Sequence, residues 1–179
     1  ALSLDEDVAL AHVGLYVVYW NLGMRDVSKR HLDFAVEMRE AVSDRERMYI
    51  DARVIQHEAL MAAGETRVSL RDDYRSALAR ALIKYPGDAE LWVARGQAAE
   101  RAPSGIGQRG SINGVAWYES ALVRDPNHIG AHHYLLHCYE NIRQYDLAVL
   151  HAEEYGDRAT AAPHGQHMVG HVLPRVNRW

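Results

Sequence analysis

A pair of histidines four residues apart occurs twice in this 179-residue chain, at a fixed interval. His133 and His137 lie in HHYLLHCYE, and His167 and His171 lie in HGQHMVGHV, each 34 residues after its counterpart. A spacing of four puts two side chains on one face of an α-helix. An interval of 34 is the length of one helix–turn–helix unit in a stacked array. Together the two periods predict successive helical hairpins whose equivalent helices carry imidazoles on equivalent faces.

The remaining sequence agrees with a purely helical reading, because no sustained two-residue alternation of apolar and polar side chains appears. The first helix is expected over 4–22, opened by SLDED and stopped at Gly23, and a second over about 26–42. Ser43-x-x-Glu46 is a capping-box pattern that opens a third helix running to Ala63, before Gly64. A fourth, about 69–85, is broken by Pro86 and Gly87, after which Asp88 caps a fifth over 89–101. The glycine-rich stretch 102–114 reads as a flexible insertion. Further helices follow over about 115–124, 129–142 and 145–155, and a ninth starts near Pro163.

The turns YPGD and DPNH place Pro86 and Pro126 forty residues apart, and Trp92, Gly96 and Glu100 lie the same distance before His132, Leu136 and Glu140. The insertion accounts for the excess over 34. Trp179 then falls in the turn between the two helices of a last repeat. The array is therefore expected to be incomplete at its C-terminal end, as in a fragment of a longer protein.

Composition removes several functions. A net charge of −4 and the absence of any Lys/Arg run argue against a nucleic-acid groove. No apolar run approaches the roughly 20 residues needed to cross a bilayer, so the chain is not expected to span a membrane. The single Cys138 excludes an internal disulfide, and it gives no redox compartment. The chain starts at Ala1, consistent with a processed precursor, and the compartment stays open between the cytoplasm and export.

The segments RERMYIDA, YPGDAELW, DPNHIGAHHYLLHCYE and HGQHMVGHVLPRVNRW resemble a histidine-rich bacterial subgroup of the tetratricopeptide repeat (TPR) superfamily. The subgroup's late motifs map onto Pro126, His128, Gly130, His133, His137 and Glu140, and then onto His167, Met168 and His171. The resemblance implies an all-α, TPR-like right-handed α-solenoid of antiparallel helix pairs, with about four and a half repeats in one domain over 1–179. It implies a shared histidine cluster and no named activity.

In a TPR array the first helix of each repeat lines the concave surface. His133, His137 and Glu140 would share that face on one such helix, and His167 and His171 the equivalent face on the next. Helix axes 8–10 Å apart allow imidazoles from both to converge on one ion. Glu140 would serve as a further ligand or as acceptor for an imidazole N–H, and His128 and His164 would reach the rim. All-nitrogen ligation points to a transition metal, copper or zinc, with nickel or iron also compatible.

Two other readings fit the same residues. In one, the groove is metal-free and contacts a protein or peptide partner, as a scaffold or a subunit of a larger complex. In the other, the histidines form a pH-sensitive surface. A metal-dependent enzyme with Glu140 as base is a further option, but no catalytic residue can be placed. The sequence favours a scaffold over an enzyme. Cys138 is expected to face the packing interface, Met168 to fill core, and His57 to be structural.

Overall fold

The computed structural model describes residues 8–100, 110–161 and 163–178, and every regular element among them is helical. These residues form two compact units, one ending at Pro86 and the other beginning at Gly87. No described helix is long and apolar enough to cross a membrane.

The first unit holds two helical hairpins. Helix α1 (Ala9–Asn21) pairs with α2 (Arg25–Met38), and α3 (Asp44–Met61) pairs with α4 (Gly64–Lys84). The capping box at the start of α3 is present in full. Ser43 Oγ accepts from the Glu46 backbone N–H at 3.3 Å, and the Glu46 carboxylate accepts from the Ser43 N–H at 3.1 Å. Gly64 differs from expectation. It opens α4 rather than closing α3, and its φ of 56° lies in the left-handed region where glycine carries no Cβ penalty.

The second unit contains α5 (Ala89–Ala99), α6 (Ile112–Arg124), α7 (Ile129–Asn141), α8 (Tyr145–Arg158), α9 (Pro163–Val172) and a short 3-10 turn, Leu173–Val176. Each helix packs on the next within this unit except that α9 is followed by the turn. Four hairpins and a ninth helix therefore appear among the described residues, and the 34-residue interval separates the start of α7 from that of α9.

Small residues set how closely these helices approach. A Cβ on Gly96 would lie 2.4 Å from Tyr118 Cε1, so the α5–α6 contact needs glycine there. A Cβ on Gly156 would meet Val169 Cγ2 at 2.6 Å, and one on Gly165 would meet the Ala159 carbonyl at 2.9 Å. These two glycines seat α9 against α8. The core of this unit joins Val93, Tyr118, Leu135, Leu136, Tyr139, Val149, Met168 and Val172.

The expected flexible stretch 102–114 is corrected at its end. Residues 101–109 lie outside the described part, but Gly110 is buried against the Cys138 backbone and α6 already begins at Ile112. The cause is Glu100, a buried carboxylate whose Oε1 accepts from the Ser111 N–H at 3.2 Å and whose Oε2 accepts from the Ser111 hydroxyl at 2.6 Å. Asn141 adds a bond from its side-chain amide to the Gly110 carbonyl at 2.7 Å. The expected incomplete end at Trp179 also lies outside the described residues.

Two helical glycines should respond to alanine with opposite signs. Gly14 in α1 has nothing within 4 Å of its notional Cβ, so Gly14→Ala should stabilise the protein by about 0.5–1 kcal/mol through helix propensity. Gly96→Ala must push the buried Tyr118 ring aside and should cost about 1–3 kcal/mol. Urea unfolding of both variants measures the pair; equal shifts in the same direction would refute the close α5–α6 packing.

Candidate metal centre

The rotation of α7 about its own axis decides which histidines face which neighbour. His132 points to α8, where its Nδ1 lies 3.0 Å from His151 Nδ1, and its Nε2 lies 3.0 Å from the Pro126 carbonyl oxygen. A carbonyl only accepts, so Nε2 carries the proton and Nδ1 of the neutral ring is the acceptor. His151 must then donate through its own Nδ1–H. Tyr139 stacks on His151 with ring centroids 5.6 Å apart, closing a buried polar clasp between the two helices.

With His132 turned to α8, the next residue around the helix faces α9. His133 and His137 lie with ring centroids 4.9 Å apart, and His133 is also 5.2 Å from His164. His164 continues to His167 at 5.8 Å, and His167 to His171 at 5.8 Å. Five imidazoles thus run without a break from α7 to α9. Glu140, nearly buried, lies between the helices, with Oε2 3.2 Å from His171 Nδ1 and Oε1 3.4 Å from Arg175 Nε.

Two nitrogens in this chain of rings are buried without a hydrogen-bond partner: His133 Nδ1 and His137 Nε2. Burial holds both rings neutral. It pushes His133 down to about 4, with His164 adding repulsion, and His137 down to about 3, with His133, His171 and His164 adding theirs. Among the described residues no three His, Cys, Asp or Glu side chains already stand around a common ion position.

The other expected participants are placed elsewhere. His128 is the N-cap of α7, where its Nδ1 accepts from the Ala131 N–H at 3.2 Å and its Nε2 lies 3.2 Å from Glu90 Oε1. Its Nδ1 is used in the cap, the Glu90 carboxylate beside its Nε2 raises its pKa, and the structure does not bring it to the cluster. His57 belongs to the first unit, 3.4 Å from the Tyr16 hydroxyl. Met168 is core. Cys138 is fully buried near Glu100, its thiol pushed up to about 12 by burial, which leaves no nucleophilic thiolate.

One relation escapes the 34-residue reading. The α1–α2 hairpin repeats the α7–α8 hairpin 120 residues earlier: His12, Tyr19, Asn21, Asp26 and His31 answer to His132, Tyr139, Asn141, Asp146 and His151. The geometry repeats with the residues. His12 Nδ1 lies 2.9 Å from His31 Nδ1, and Tyr19 stacks on His31 at 5.3 Å. The positions of His133, His137 and Glu140 are held there by Val13, Val17 and Trp20. The clasp is therefore part of the hairpin, whereas the second histidine set belongs to α7 alone.

A search of solved structures gives a crystal structure of YrrB, described as a TPR protein with an unusual peptide-binding site. It is 17% identical, with 93% of this chain and 76% of that chain covered at a TM-score of 0.48. No family model matches the chain, and no curated protein matches it.

The buried neutral imidazoles fix the sign of the acid response. His133, His137 and His151 bind protons more weakly in the folded protein, at about 4, 3 and 4, than at the model-peptide value of 6.5. Below pH 6.5 the unfolded chain takes up protons that the folded chain refuses. Stability is thus full above that pH and falls as the pH drops toward about 4, by about 1.4 kcal/mol per pH unit for each group. Urea midpoints measured with a chelator present should drop steeply between pH 7 and 5; an unchanged midpoint would contradict the burial of neutral rings.

Proposed function

We propose that the second unit is a helical scaffold that binds one transition-metal ion, copper or zinc, through His133, His137 and His171, with His164 and His167 at the open side. The observation that carries this reading is the pair of buried, unpartnered nitrogens on neutral rings, His133 Nδ1 and His137 Nε2. A metal ligand must be deprotonated, and these two imidazoles need release no proton to become ligands. A buried acceptor left without a partner costs about 1–3 kcal/mol, a cost that coordination removes.

Glu140 supports the same reading. By accepting from His171 Nδ1–H it fixes that ring's tautomer and leaves Nε2 as the donor atom, the arrangement in which a carboxylate orients a metal-bound histidine. Arg175 on the other oxygen holds the carboxylate in place. The His133 and His137 rings lie with centroids 4.9 Å apart, inclined at 73° to each other. An all-imidazole donor set favours Cu²⁺ over the other divalent ions of the first row, with Zn²⁺ next by availability.

The test is metal content and calorimetric titration of the purified chain with Cu²⁺ and Zn²⁺. One ion per chain is expected, lost in both His137→Ala and His171→Ala, and bound about 10–100-fold more weakly in Glu140→Gln. Failure to take up either ion, or uptake that survives both histidine substitutions, would overturn the proposal and leave the groove as a metal-free surface for a protein or peptide.

A further inference from the structure

The ring of Tyr155, on α8, reaches the histidine cluster from a helix that carries none of its imidazoles. It meets His133 with ring centroids 4.9 Å apart and planes inclined at 71°, and His164 at 6.4 Å and 74°. Both pairs have the spacing and the near-perpendicular setting of edge-to-face aromatic contacts. His133 and His164 are themselves 5.2 Å apart. One ring from each of α7, α8 and α9 therefore closes a triangle. Tyr155 is buried, and its hydroxyl makes no hydrogen bond among the described residues, so its contribution is the ring itself.

The α1–α2 hairpin shows that packing does not call for this ring. There, 120 residues earlier, Val13 stands for His133 and Ala35 for Tyr155, and the two belong to one apolar core cluster. An aliphatic pair across the first hairpin is thus an imidazole and a phenol across the second. The next position differs in the opposite sense, with Gly156 where the first hairpin has Val36. That glycine lets α9 approach, since a Cβ there would lie 2.6 Å from Val169 Cγ2. Bulk is added where α8 faces the histidines and removed where α9 must come close.

We propose that Tyr155 is a positioning residue of the metal site, holding the His164 ring beside His133 so that His164 serves as the ion's fourth imidazole. The inference rests on the metal reading given above. Two imidazoles bound to one ion through nitrogens at about 2.0–2.1 Å have ring centroids about 4.5–6.4 Å apart, for angles at the ion from about 90° to 180°. The 4.9 Å between His133 and His137 and the 5.2 Å between His133 and His164 both fall in that range. His164 is exposed in the first turn of α9, so its ring needs a wall to stay on the cluster. Tyr155 is that wall, and its contact with both rings limits the rotation of each. Groups that orient a ligand in this way act on metal affinity without touching the ion.

The test is titration of the full chain with Cu²⁺, reading the visible d–d absorption and the electron paramagnetic resonance of the bound ion. The variants are Tyr155→Phe, Tyr155→Leu, His164→Ala and the double variant of the last two. Tyr155→Phe keeps the ring and should match the parent. Tyr155→Leu should bind Cu²⁺ about tenfold or more weakly, with the d–d band at lower energy as one nitrogen donor is lost. His164→Ala should show the same spectrum, and the double variant no further change, because the two residues act as one unit. The parent's spectrum in Tyr155→Leu or in His164→Ala, a weakened Tyr155→Phe, or losses that add in the double variant would each overturn the inference. His164 is exposed, so its alanine variant keeps the fold and decides the matter even where Tyr155→Leu does not fold. A parent that binds copper beside variants that match it overturns this inference alone. A parent that takes up no copper overturns the metal reading and this inference with it.

Discussion

The candidate site depends on one buried contact, the hydrogen bond between His132 and His151. Each ring has a single proton to place, and the Pro126 carbonyl dictates that His132 spends its own on Nε2. The bond needs one of the two facing Nδ1 atoms to be free of a proton, and it holds α7 against α8 in one rotational setting. One residue further on is a turn of about 100° around a helix, so His133, and His137 with it, are set toward α9. Proline in the turn, a histidine one helical turn later and a histidine on the neighbouring helix thus act together as an orienting device.

The histidine pair of this device occurs twice, and its first copy separates two roles that look alike in the sequence. His12 and His31 repeat the clasp with Tyr19 stacked behind, while Val13, Val17 and Trp20 stand where the second copy has His133, His137 and Glu140. An HxxxH spacing alone cannot tell a packed histidine from a ligand. A comparison of two hairpins of the same construction can, because the residues common to both hairpins serve the hairpin itself.

Much of the architecture is legible in the residues. The 34-residue interval yields the hairpins, Ser43 and Glu46 yield a capping box, and Gly96 marks the closest approach of α5 and α6. Other features are not, each for a physical reason. Gly64 reads as a helix stop because glycine is favoured after a C-terminus, yet its left-handed φ here starts a helix. The 110–114 segment reads as loose because its glycines carry no packing signal. Its order comes from Glu100, eleven residues back, bonding to Ser111. His128 reads as a rim residue because of its proximity in sequence, but an N-cap needs its ring acceptor for a backbone N–H. The 120-residue interval stays hidden behind the shorter period, since only buried contacts reveal that the two clasps are one motif.

The same hairpin comparison bears on whether packing alone demands the inner histidines. Val13 and Val17 fill the positions equivalent to His133 and His137 with apolar side chains, and Val13 is buried, so a hairpin of this construction closes without imidazoles at those two positions. Replacing them by imidazoles brings two unpartnered nitrogens into a buried setting, a loss of about 1–3 kcal/mol for each one left unsatisfied. It also exposes the fold to acid, because burial makes both rings refuse protons. A folded state that carries such a penalty gains more from a ligand than one that does not. An ion bound only by the folded protein adds RT ln(1 + [L]/Kd) to its stability, about 2.7 kcal/mol at a hundredfold excess over Kd, comparable to the cost of the orphan nitrogens. Unpartnered imidazoles on this face of α7 thus cost the bare hairpin stability, and an ion bound there would offset that cost.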